Sequence, residues 1–140
     1  MLTTQEASGQ AHIVVSALER ALDQALAQAR HLTQEGKGID DHQVHCERLA
    51  YRATELQAAQ ALLHYAEMQG QHGQDDGVTG HMALAYAAEV HQTLLAEVGA
   101  HPTTYGIDAL DAGLARCKSN PRRHTIPLES VAKLSSPGGA

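Results

Sequence analysis

At 140 residues the chain is long enough for one domain, and a domain of this size buries roughly two thirds of the surface its unfolded form exposes. Its apolar content of 43% comes mostly from Ala and Leu, with no Trp, no Phe and four Tyr, which favours close-packed helices over a strand-rich fold. The net charge of −6 is uneven: residues 1–115 hold five basic and 15 acidic residues, whereas residues 116–140 hold five basic and one acidic. So acidic a body lacks the Lys and Arg contacts on which phosphate-backbone affinity depends, and nucleic acid is not an expected partner.

Residues 1–9 read as a lead-in. Val14, Leu18, Ala21, Leu22, Ala25, Ala29 and Leu32 then recur at three- and four-residue steps, the spacing that places side chains on one helix face. Gly36 and Gly38 interrupt this helix. Asp40, with Gln43 three residues on, has the spacing of an Asp-type capping box, so a second helix is expected from about Asp41. Its stripe is Cys46, Leu49, Ala53, Leu56, Ala59, Leu63 and Ala66, ending before Gly70. The loop between the two helices is short, which requires them to lie side by side and antiparallel. Ala83, Ala87, Val90, Leu94 and Val98 mark a third helix, and Ile107, Leu110, Leu114 and Cys117 a shorter fourth, with Gly99 and Pro102 between them. The expected architecture is all-α, an up-and-down four-helix bundle over residues 10–118, followed by a flexible basic tail at 119–140 that is rich in Pro and Gly. Long Ala-rich faces with few large core residues further predict self-association.

Two cysteines, Cys46 and Cys117, imply no disulfide framework. No apolar run approaches the ~20 residues of a membrane span, and MLTTQEASGQ has neither the basic start nor the apolar centre of a signal peptide, so a cytoplasmic location without membrane contact is expected.

Ten His invite a metal reading, with His42, His45 and Cys46 close together. None of the nine Glu residues is followed by His at the third position, as a di-iron bundle requires, and HExxH is absent, so no metal site is assigned. GKGIDD at 36–41 resembles a phosphate-binding glycine loop but lacks the third Gly and follows a helix, where the fingerprint needs a strand; a turn at a helix end explains it better. Gly-x-Ser-x-Gly is missing, and no Ser or Cys has a visible base partner.

The stretch IDDHQVHCERLAYRATELQAAQALLHYAE, residues 39–67, resembles a segment of the acyl-CoA dehydrogenase family through Ile39, His42, Gln43, Leu49, Ala50, Thr54, Glu55, Ala59, Leu62, Tyr65 and Ala66. SALERALDQALAQAR upstream and MALAYAAEV downstream resemble the helices on either side of it, so the likeness covers residues 10–107. The resemblance implies the C-terminal helical bundle of an FAD-dependent enzyme. In the family that bundle packs on an N-terminal helical domain and a β domain to hold FAD and an acyl-CoA, within dimers and tetramers. His42 and Gln43 match a flavin-contacting pair of some members and are the cofactor-binding candidates. The family's flavin-contacting Arg and Phe align instead with Leu32 and Glu35, and its Gln and Gly-Gly with Ala100, Thr103 and Thr104, while Gly36 and Gly106 are kept. A carboxylate at Glu35 is expected to repel a pyrophosphate, and Thr side chains to hold the backbone away. The catalytic Glu has only Glu129 as a displaced counterpart, so the catalytic base is otherwise unassigned.

Two functions follow. In the first, the chain is the C-terminal part of a flavin-dependent acyl-CoA oxidoreductase, completed by a partner chain or by missing sequence that supplies the N-terminal and β domains. In the second, it is a non-catalytic oligomerisation module that has lost flavin binding. Either way the isolated chain is expected to be colourless and catalytically inactive.

Overall fold

The computed structural model describes residues 2–107. Four α-helices are present there: α1 (Thr4–Leu32), α2 (Gln43–Gln71), α3 (Thr79–Ala100) and the single turn α4 (Pro102–Tyr105), with a 3-10 turn at Ile39–His42 leading into α2. No strand occurs among the described residues. The expected fourth helix at Ile107–Cys117 and the tail at 119–140 lie outside the described residues, apart from Ile107.

α1 begins at Thr4, six residues before the expected start of the bundle at residue 10 and ten before Val14, the first residue of its apolar stripe. Thr3 Oγ1 accepts from the Glu6 backbone N–H at 3.2 Å while the Glu6 carboxylate accepts from the Thr3 N–H at 2.8 Å, a complete capping box. Ala7 and Ala11, both fully buried, extend the stripe through this region. At the other end, Thr33 Oγ1 donates to the Ala29 carbonyl at 2.8 Å and accepts from the Gly36 N–H at 3.1 Å, tying the last turn of α1 to the turn that follows. Gln34, Glu35 and Gly36 all have positive φ, at 50°, 60° and 92°, so the chain reverses in three left-handed steps and only the last is taken by glycine.

The long helices alternate in direction. His12 near the start of α1 meets Glu67 near the end of α2, and Glu19 meets Gln60, so α1 and α2 are antiparallel. Arg52 of α2 faces Glu97 of α3, and His45 faces Tyr105, so α2 and α3 are antiparallel as well. α3 therefore runs parallel to α1, and His81 Nε2 lies 3.1 Å from the Leu2 carbonyl oxygen at the bottom of that pair. One core joins all three: Leu18, Leu22, Leu49, Leu56, Leu63, Leu84, Leu94 and Val98 fill it, with Ala21, Ala25, Ala59 and Ala87 between them. The expected stripes of α1 and α3 are buried as read, with Leu32 half-buried at the end of α1. On α2 the register shifts by one position at the start of the helix, because His45 is buried there and Cys46 is only half-buried.

α1 and α3 come close together at Gly80. A Cβ at that position would stand 2.8 Å from Thr4 Cγ2, 2.9 Å from Ser8 Oγ and 2.9 Å from the Thr4 carbonyl oxygen. A backbone oxygen has no rotamer to escape into, so the helices would have to part. Gly99, in the same helix, has nothing within 4 Å of its would-be Cβ. Gly80→Val is therefore expected to lower stability by about 1–3 kcal/mol through overpacking, and Gly99→Ala to raise it by about 0.5–1 kcal/mol through helix propensity. Urea midpoints compared at equal m-value read both changes, and an equal response at the two glycines would show that the α1–α3 seam is not tight.

The α2–α3 connection is held by Asp76. Its Oδ1 accepts from the Val78 and Thr79 N–H groups at 2.9 and 2.8 Å and its Oδ2 from the Thr79 hydroxyl at 2.6 Å. These donors, the Thr79 side chain first, hold the carboxyl down at about 2. α3 thus starts at Thr79, one turn before its first periodic Ala.

Candidate functional site

At the end of the bundle where α2 begins and α3 gives way to α4, an open cavity of about 380 Å³ is lined by Asp40, Asp41, His42, Gln43, Val44, His45, Arg48, His101 and Thr104. The 3-10 turn and the first turn and a half of α2 form one wall, and the α3–α4 junction forms the other. His101 is placed there because α3 ends at Ala100 and Pro102, unable to continue that helix, starts α4 as its first residue. Gly106 at φ 64° ends α4, its would-be Cβ 2.7 Å from the Gln28 side chain of α1.

His42 and Gln43 stand together at the start of α2. His42 is half-buried and occupies the N-cap position with no side-chain cap; Gln43 is exposed and donates from Nε2 to Asp40 Oδ1 at 3.1 Å. The expected Asp40 capping box is not formed. Asp40 lies within the 3-10 turn, too early to reach the free N–H groups of α2, so the pair survives as a side-chain bond and those N–H groups have no side-chain acceptor.

His45, one turn on, was visible in the sequence only as a metal candidate. It is 7% exposed, and neither ring nitrogen has a hydrogen-bond partner. A buried polar group left so costs about 1–3 kcal/mol. The Tyr105 ring meets it edge-on, with centroids 4.7 Å apart at 89°. Burial first, then the neighbouring His42, Arg48 and His101, pushes the His45 pKa down, with Glu97 opposing. Behind it lies a half-buried polar chain: the Tyr105 hydroxyl donates to Glu97 Oε2 at 3.1 Å, and Arg52 lies between Glu97, at 3.6 Å, and Glu55. Sequence reasoning passed over Arg48, Arg52, Glu97, His101 and Tyr105 because each comes from a different turn or element and no local spacing links them.

Leu32, Glu35, Ala100 and Thr103 do not line the cavity, whereas Thr104 does. Glu35 forms an exposed ion pair: Arg30 donates to its Oε2 from Nε at 3.1 Å and Nη2 at 2.9 Å. GKGIDD forms the turn between α1 and α2 and the start of the 3-10 turn. Among the described residues no group of three His, Cys, Asp or Glu converges as a metal site, and no helix is long and apolar enough to cross a membrane. Glu129 lies outside the described residues.

The family model described as the acyl-CoA dehydrogenase C-terminal domain matches residues 3–125 of this chain. The chain belongs to the acyl-CoA dehydrogenase family. The match takes in residues 3–9, the Thr3 cap and the first turns of α1. Among curated proteins and solved structures nothing matches it. As an acyl-CoA dehydrogenase C-terminal domain it presents the His42–Gln43 pair on the lining of the cavity described above.

Proposed function

We propose that this domain is the C-terminal helical part of a flavin-dependent acyl-CoA oxidoreductase, and that the N-terminal and β portions come from a partner chain or from further sequence. The observation that carries this reading is the position of His42 and Gln43, the pair matched to flavin-contacting residues, on the wall of an open polar cavity at the first turn of α2. The lining suits the polar edge of FAD. His42, Gln43 and Arg48 offer donors and the uncapped N–H groups of α2 favour anionic character, against the carboxylates of Asp40 and Asp41 in the same lining. When bound, the flavin supplies the hydride acceptor; the described residues of this chain contribute binding and orientation and hold no assigned catalytic base. Acyl-CoA is the substrate class that the family suggests.

The test is a flavin titration in the presence of the N-terminal and β domains of a family member. His42→Ala combined with Gln43→Ala is expected to weaken FAD binding by at least about tenfold, the equivalent of one good hydrogen bond, while the helical circular dichroism stays unchanged. An unaltered titration for the double variant would remove the flavin assignment. A second reading, a non-catalytic oligomerisation module, is favoured by Val44, Tyr51 and Tyr65, which lie on one outer stripe of α2 and are 62%, 59% and 52% exposed. Light scattering on the same samples separates the two: self-association lost in Tyr51→Glu with Tyr65→Glu, together with no flavin response, supports the module.

A further inference from the structure

We draw no further inference here: the strongest candidate, the outward face of α2, where Tyr51, Tyr65 and Met68 are exposed and no exposed position from Ala50 to Met68 holds an Asp, Glu, Lys or Arg, is the face already put forward for self-association, and nothing in the structure shows what covers it.

Discussion

Tyr105→Ala is expected to lower the stability of the domain by about 3–5 kcal/mol, the range for truncating a large buried aromatic. Tyr105 is fully buried, the largest such side chain among the described residues, and belongs to a helix of only four residues. α4 has too few backbone bonds to persist alone, so the ring is what docks it on the bundle. Three interactions end there: packing within the core, the edge-on contact with His45, and the hydrogen bond to Glu97. Burial first, then Glu97, pushes the phenol up to about 12, which keeps the hydroxyl a donor throughout the neutral range. Tyr105→Phe separates the contributions. It removes only the bond to a charged acceptor, worth about 1.5–3 kcal/mol, and leaves the Arg52 guanidinium as the remaining partner of Glu97 across the α2–α3 seam. Urea unfolding of the two variants should therefore give two distinct losses, the Ala form the larger. If Ala and Phe lose the same amount, or neither moves the midpoint, Tyr105 does not anchor α4.

The bundle was legible in the sequence wherever helix period and core coincide. Every apolar position that marks α3, from Ala83 to Val98, is buried, because that helix packs on two neighbours and its stripe has no exception to accommodate. α1 is equally faithful from Val14 to Ala29, yet its first turns went unread. Thr3 and Glu6 carry a complete capping signal, but the residues after them are Ala, Ser and Gly, whose small side chains give a periodicity scan little contrast. The α2 stripe misled at its start for a physical reason: a histidine is not counted as apolar, and burial of His45 is decided by Tyr105, sixty residues away. The same limit applies to the site. His42 and Gln43 are candidates because a family pattern names them, and the structure sets them beside Arg48 and His101, which no local spacing connects to them. The turn at 36–41 shows the opposite case, since Gly36 at φ 92° is a requirement that the sequence states directly.

Two buried imidazoles set the acid behaviour of the fold. His91 in α3 is 5% exposed with Nε2 unpartnered, and burial pushes its pKa down; His45 is lowered by burial and by its cationic neighbours. Above the unfolded value of about 6.5 both are neutral in the folded and unfolded chains and contribute nothing to pH dependence. Below it the unfolded chain binds protons that the folded chain refuses, so stability falls as the pH drops, by up to about 1.4 kcal/mol per pH unit for each imidazole, until the folded pKa is reached. Asp76 does not contribute in this window: its carboxyl is held at about 2, so the stability that it provides is intact above its ordinary value near 3.8 and is lost only on further acidification toward 2. Urea midpoints measured from about pH 7.5 down to about pH 4.5 should therefore decline from near pH 6.5, well before any carboxylate effect. His91→Leu fills the same space without a protonatable ring and should remove about half of that slope while leaving the neutral-pH stability equal or higher. A midpoint that holds constant down to about pH 5 would mean that these rings take up protons in the folded state without cost. An undiminished slope in His91→Leu would place the acid-sensitive group elsewhere in the chain.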